Sequence, residues 1–489
     1  MNSSQFRRVA LLTMPFTQAP GPFFRLTHFA EPPLGLASLA GSLRKWNPDT
    51  AVDIIDAHAL LMNRRQLLDR IKAYDPDLVG LTTVSLTAGV TTSLAREIKS
   101  VCPNAKIVAG GPHPTALPDD LLEEVDAVAL GEGEQTFSDV VSGKAWPDIE
   151  GLAFRENGRV RFNAPRPFLK DLDELGFPAY DLLPLRSYRY PYPMKKARGN
   201  YATYFSSRGC PSKCTFCAQM SVWGHRVRFH SVERVIEDLQ RLIDEFHVSL
   251  VHFYDDTLLF HRNRVFEMCE EMIRRKWPLR WICLARGMDI DDEVAEIAAR
   301  AGCGFIEVGV DTANEGIIQT VKKDSTVDEV RRAFRAASKH GIHVKGNFII
   351  GLPGETPESV REAIDFATTL DATYVNFFHF VPIPGSDLYD EYHQKGWMKA
   401  TDWGKYHFHH SAVVELPGIS TAELNEAMQR ALRAFYLRPK TWWRFVRVFF
   451  ESLDIRTFAL GVLAIINEVV VRPHRDLASP KAASTPVVT

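Results

Sequence analysis

The sequence predicts an α/β chain: a Rossmann-like doubly wound sheet, then a partial (β/α)6 barrel of the TIM type, then a helical C-terminal extension. Three observations carry that reading. From residue 7 to about 145, and again from about 201 to 383, short apolar runs alternate with amphipathic stretches, the pattern of parallel strands joined by crossover helices. Clusters of glycine and polar residues fall just after the apolar runs, where such sheets and barrels place their sites. Beyond residue 395 the alternation stops and amphipathic helical patterns take over.

In the first unit, strands are expected at Val9 to Met14, Val52 to Ile55, Leu78 to Thr82, Lys106 to Ala109 and Ala127 to Leu130. Leu34 to Lys45, Arg64 to Tyr74, Thr91 to Val101 and Pro118 to Glu124 read as the intervening helices or helical turns. The strand ends carry Pro15, Thr83 to Thr87, Gly110-Gly111-Pro112-His113 and Gly131-Glu132-Gly133-Glu134. Glycines there let backbone approach a bulky ligand, and the hydroxyls of Thr83, Ser85 and Thr87 can hydrogen-bond its amide or phosphate groups. A proline-rich stretch with Pro165, Pro167, Pro178, Pro184, Pro191 and Pro193 reads as an irregular linker.

In the second unit, strands are expected at Tyr201 to Ser206, Leu250 to Tyr254, Trp281 to Ala285, Phe305 to Val310, His343 to Ile350 and Tyr374 to Phe380. Helices such as Val232 to Glu245, Arg262 to Arg275, Glu293 to Ala301, Val327 to His340 and Pro357 to Thr369 separate them. The boundaries that follow are 1–148, a linker 149–195, a barrel unit 196–395, a mostly helical extension 396–475 and a disordered tail 476–489.

Composition narrows the class. A net charge of −2 gives no electrostatic reason to expect nucleic acid. Seven cysteines, three of them clustered, argue against a secreted disulfide framework. The N-terminus runs straight into a strand pattern without a signal-peptide apolar stretch, so a reducing, cytoplasmic setting is expected.

Cys210, Cys214 and Cys217 are the most informative residues. Thiolate sulfur selects zinc or iron–sulfur clusters, but a structural zinc site or a cubane normally takes four protein ligands. Three leave one iron of a cubane open for something that reacts. Cys102, Cys269, Cys283 and Cys303 are scattered in apolar or helical stretches and read as small core residues.

The CxxxCxxC triad, with Phe216 before its last Cys, resembles the signature of radical S-adenosylmethionine (SAM) enzymes. The resemblance implies a [4Fe-4S] cluster on Cys210, Cys214 and Cys217, with SAM chelating the fourth iron. Asp255 and Asp256 follow the second barrel strand, where the family receives the SAM ammonium, and Arg286 suits the SAM carboxylate. Glu307 resembles the residue that holds the ribose, and Asn347 and Gly351 end the fifth strand, where the family packs adenine. Asp311 and Glu355 read equally as turn or cap residues.

The N-terminal unit is similar to the cobalamin-binding domain of one radical SAM subfamily, which implies cobalamin contacts at Thr83, Ser85, Thr87, Gly110, Gly111, Gly131 and Glu132. A flavodoxin-like or receiver-like domain without cofactor would show the same alternation. Asp56-Ala57-His58 departs from the cobalt-ligating motif at Leu61, where Gly is required, so His58 reads as a loop residue and His113 likewise.

The implied activity is SAM cleavage to a 5′-deoxyadenosyl radical and methylation of an unactivated carbon of a small molecule or natural product. The substrate and the catalytic residues stay open. A flavodoxin- or ferredoxin-type reductant is implied as partner. Ring closure without methyl transfer, a non-catalytic iron–sulfur electron carrier and a zinc scaffold are the alternatives. Trp403 to His410 reads as packing or pocket lining, and Phe458 to Val471 is too short and polar to span a bilayer. The basic, aromatic stretch from Trp442 to Phe450 can lie on a membrane surface, with packing on the barrel as the expectation.

Overall fold

In the computed structural model of the chain, residues 5–15, 29–192, 194, 197, 199–409, 412–453 and 455–466 are described. Pro193, His410, the end of the apolar run from 467 and the tail from 476 lie outside the described residues. The first sheet has seven strands: β1 (Arg8–Leu12), β2 (Ala51–Ile55), β3 (Leu78–Thr82), β4 (Lys106–Gly110), β5 (Ala127–Ala129), β6 (Leu152–Glu156) and β7 (Arg159–Phe162). Their order is β2-β1-β3-β4-β5-β6-β7, with the first five parallel. β6 and β7 add on antiparallel, so the stretch expected to be irregular from residue 150 opens with a hairpin. Its two-residue turn, Asn157-Gly158, has positive φ at both positions, matching the twist of the flanking strands.

The barrel unit opens with β8 (Asn200–Tyr204), after which a small antiparallel pair, β9 (Ser207–Arg208) and β10 (Arg228–Phe229), brackets the cysteine loop. The strands β11 (Val248–Phe253), β12 (Arg280–Arg286), β13 (Cys303–Asp311), β14 (His343–Ile350) and β15 (Tyr374–His379) follow. With β8 they form a wholly parallel sheet in the order β15-β14-β13-β12-β11-β8. Helix starts follow the capping chemistry: the side chains of Ser231, Asp291, Thr326, Thr356 and Ser420 each accept the backbone N–H three residues on.

Register partners in a parallel sheet share a face, so His252, Ile282, Glu307, Lys345 and Asn347 all belong to the inner face of the half-barrel. Tyr192 from the linker closes its lower end, stacked on Phe305 at 5.1 Å and leaning on Tyr374 at 4.5 Å. Phe445, from the helix Pro439–Ser452, stacks on Tyr374 at 5.2 Å. That helix therefore packs on the barrel, yet it leaves Trp443 78% and Phe450 67% exposed. Among the described residues no helix is long and apolar enough to cross a membrane.

A continuous apolar core runs from one face of the first sheet (Val9, Leu11, Phe137) through linker residues Ala179, Tyr180 and Leu183 into the barrel. A second core fills the other face of the first sheet.

Candidate active site

The cysteine loop leaves β9 at Gly209. Its φ is +102°, and a Cβ at this position would lie 2.6 Å from the Arg226 carbonyl oxygen, so only glycine fits. The loop is then stitched down: the Thr215 amide donates to the Val321 carbonyl at 3.0 Å, and the Leu388 amide donates to the Thr215 carbonyl at 3.0 Å. Arg286 donates to Ser212 Oγ at 3.0 Å. The three cysteines are each half-buried and unpaired. Cys217 faces both Cys210 and Cys214 electrostatically, and burial pushes its thiol up to about 11 and that of Cys214 to about 12. Thiols so disfavoured as anions need a strongly positive partner to ionise, which suits iron.

Among the described residues no three His, Cys, Asp or Glu side chains converge on one metal ion. Three thiols in one loop are the donor set that a cubane with one open iron would take.

Around the loop stand groups from successive strand ends. Asp256 is pushed up to about 7 by burial and by its neighbour Asp255, and it accepts hydrogen bonds from Gln219 and the Gly209 amide. Asp311 sits at a register shift ending β13, in the left-handed region at φ 62°, and pairs with the buried Lys323. A non-glycine residue held there is the kind of local strain that sites retain. Asn347 Oδ1 is buried without a hydrogen-bond partner in the protein.

Other expected SAM contacts are committed elsewhere. Asp255 is fully buried and accepts from the Ser206 amide at 3.0 Å, Ser206 Oγ at 2.7 Å and Ser207 Oγ at 2.5 Å, so it anchors the loop from behind. Arg286 grips Asp289 with two hydrogen bonds of 2.8 and 2.7 Å and packs over Phe260, which leaves no open fork for a carboxylate. Glu307 lies four residues before Asp311, about 13 Å lower on the strand, paired with Lys345 at 2.5 Å and accepting from Tyr190 at 3.0 Å. The Gly351 amide donates to Glu355, and Phe216 packs against the core.

Opposite the loop is a cleft of about 390 Å³. One wall is the carboxyl ends of β3 to β5, with Thr82, Gly110, Gly111 and Gly131; the facing wall is Ala218, Gln219, Val222 and Trp223, just after Cys217, together with Asp256 from the end of β11. Leu36, Leu39 and Phe137 add apolar lining, and Gly35, Gly80 and Gly133 keep it open. An apolar cleft with glycine backbone on one side fits a large flat cofactor.

Three of the seven expected cobalamin contacts line this cleft, namely Gly110, Gly111 and Gly131. Thr83 is buried against Thr91, Thr87 caps its own turn at Val84, and Glu132 is tied to Arg208 and Arg228. Ser85 holds His113 Nδ1 at 3.1 Å while Asp120 holds its Nε2 at 3.2 Å, so both ring nitrogens of His113 are engaged. His58 is exposed beyond the edge strand β2 and does not line the cleft. The stretch from Trp403 acts as packing: Trp403 meets His113 edge-on at 5.0 Å and donates to Asp120 at 2.9 Å.

A three-thiol loop at the head of a parallel half-barrel, facing a glycine-walled cleft, defines an iron–sulfur enzyme of the SAM-cleaving type with a second large cofactor. Residues 204–367 match the radical SAM superfamily and residues 27–141 match the B12 binding domain. An uncharacterized methyltransferase of Pyrococcus horikoshii is 34% identical over 438 residues, covering 88% of this chain and 93% of that one. The chain belongs to the radical SAM family, in the branch that carries a B12 binding domain, and its cofactors are a [4Fe-4S] cluster, SAM and cobalamin. An anaerobic magnesium-protoporphyrin IX monomethyl ester cyclase of Cereibacter sphaeroides is 27% identical, over 84% of this chain and 69% of that one. The fold is also that of TsrM from Kitasatospora setae, a radical SAM methyltransferase solved with cobalamin and a [4Fe-4S] cluster. That likeness has a TM-score of 0.71 at 17% identity, covering 95% of this chain and 99% of that one.

Proposed function

We propose that this enzyme methylates an unactivated carbon of a small-molecule substrate held between the barrel mouth and the cleft. The observation that carries this is the shared wall: the helix Gln219–Trp223, which starts two residues after Cys217, also lines the cofactor cleft, so the cleft begins where the cysteine loop ends. Together the cofactors supply homolytic cleavage of SAM, hydrogen abstraction from carbon and a transferable methyl group. The residues bind, orient and exclude water. Asp256 and Asn347 offer acceptors to the SAM ammonium, ribose or adenine, and Lys323 is the buried cation beside Cys214. A low-potential donor of the flavodoxin or ferredoxin type fits the electron requirement, and such chemistry suits the cytoplasm.

The test is anaerobic purification with iron, sulfide and cobalt analysis, then incubation with methyl-deuterated SAM, reductant and candidate substrates. Label in a new C–CH3 group, lost together with 5′-deoxyadenosine in Cys214→Ala, supports methyl transfer. A substrate oxidised or cyclised without label supports ring closure, and SAM left intact removes the enzymatic reading.

We also propose that the C-terminal helices rest on an anionic membrane surface. Trp443, Phe450, Leu453 and Ile455 are 78, 67, 68 and 70% exposed, and Lys440, Arg447 and Arg456 flank them, the mixture an interfacial helix uses. Co-sedimentation with phosphatidylserine vesicles, reduced in Trp443→Glu, checks it; equal recovery of the two proteins contradicts it.

A further inference from the structure

The sheet that carries the cleft and the loop that carries the cysteines are joined by four buried charges. Arg208, two residues before Cys210, donates to Glu134 at 2.5 and 3.3 Å, to Glu132 at 3.1 Å and to Ser38 Oγ at 3.4 Å. Arg228 grips both oxygens of Glu132 at 2.8 and 2.9 Å and donates to the Leu169 carbonyl at 2.8 Å. Glu132 closes the ring by accepting from the Leu169 amide at 2.8 Å. Each guanidinium is covered by an aromatic ring, Arg208 by Trp223 at 4.7 Å and Arg228 by Phe168 at 4.9 Å. The four side chains are only 3 to 9% exposed.

Such a cluster is a poor device for stability, because desolvating four charges offsets most of their attraction and apolar packing would serve as well. What it provides is direction: Arg208 meets Glu134 through both terminal nitrogens, the bidentate pairing that adds geometric specificity, and Arg228 holds Glu132 from the other side. Its ends are placed accordingly. Glu134 and Trp223 both line the cofactor cleft, while Arg208 leads directly into the cysteine loop. A reaction shared between two cofactors falls off steeply when their separation wanders by an ångström.

We propose that Arg208, Glu134, Glu132 and Arg228 are positioning residues that hold the cobalamin-binding sheet and the cluster loop at one fixed separation. This rests on the cofactor assignment above, so the test has one arm that needs the cofactors and one that does not. In the full chain loaded with cob(II)alamin and a reduced cluster, pulsed EPR reads the distance distribution between the two electron spins. Glu134→Gln, which keeps shape and removes charge, broadens that distribution among the molecules that hold both cofactors. Asp238→Asn, which loosens a buried contact between the helix Val232–Asp244 and β8 made with Arg234 and Tyr204, lowers stability and leaves the distribution narrow.

In the cofactor-free full chain, hydrogen exchange is followed in peptides spanning 129–137 and 207–217. Glu134→Gln raises exchange in both together by about a hundredfold or more, the scale of a buried pair broken at one end; Asp238→Asn does not. A distribution as narrow as wild type in Glu134→Gln, or exchange rising on one side alone, overturns the proposal. Wild-type protein that takes up no cobalt or iron sinks the cofactor assignment instead, and the exchange arm then decides the clamp by itself.

Discussion

Asp255 and Asp256 are adjacent in sequence and opposite in role, and Asp255→Ala separates them. Removing the Asp255 carboxylate strands the Ser206 amide and the Ser206 and Ser207 hydroxyls, all buried. At ~1–3 kcal/mol for each buried unpaired group, with hydroxyls able to turn elsewhere, the loss is ~3–6 kcal/mol. Arg264, which donates to Ser206 Oγ and to the Ser206 carbonyl at 3.2 Å each, loses its counter-charge as well. Against a total stability of ~5–15 kcal/mol, that is a large fraction. Urea unfolding of the cofactor-free protein should show the full decrease, and anaerobic reconstitution should yield little iron because the loop before Cys210 is no longer held. Asp256→Ala, which frees only the Gly209 amide and Gln219, should lose no more than ~1–3 kcal/mol, keep its iron and weaken SAM binding. If Asp255→Ala unfolds at the wild-type urea midpoint and loads a full cluster while only its SAM affinity falls, then Asp255 is a ligand contact and the anchoring argument is wrong.

Three further outcomes are expected. Gly35 lines the cleft with nothing within 4 Å of where its Cβ would sit, so Gly35→Leu should fold at least as stably, load iron normally and bind cobalamin weakly by equilibrium dialysis. Glu355 is pushed up to about 7 by burial, despite accepting the Gly351 and Leu352 amides. The folded state then keeps a proton that the unfolded chain releases near ~4.3, so stability should fall as pH rises from there to about 7 and level off above, and Glu355→Gln should flatten that slope in pH-dependent unfolding. Finally, a Cβ at Gly41 would lie 2.0 Å from the Phe177 carbonyl oxygen, so Gly41→Ala should cost ~1–3 kcal/mol of overpacking, read as a lower melting temperature.

The alternating apolar runs made both sheets legible, and β3 and β14 occur with the same ends as the sequence pattern. The hairpin of β6 and β7 is missing from that reading although Asn157-Gly158 announces a tight turn; the surrounding prolines drew the stretch toward an irregular assignment. At the site, residue type and strand-end position were readable, but direction was not. Asp255 and Asp256 point to opposite sides of their strand end, and only the contacts of Ser206 reveal which one looks inward. Arg286 has the right chemistry for a carboxylate but finds Asp289 three residues away. The apolar lining of Leu36, Leu39 and Phe137 resembles any core, whereas Gly80, inside an apolar strand, was a signal for close approach that the sequence offered.

The linker also limits how this protein could have been assembled or could be re-engineered. Tyr180 is wholly buried and donates to the Thr203 carbonyl at 2.5 Å, the Ala179 amide donates to the Ala37 carbonyl at 2.9 Å, and Tyr188 donates to Asp56 at 2.7 Å. One short strap is thus core to both halves. Grafting a foreign B12 module onto this barrel at a sequence boundary would cut through shared interior, so an exchange has to carry the strap and the faces it packs against together.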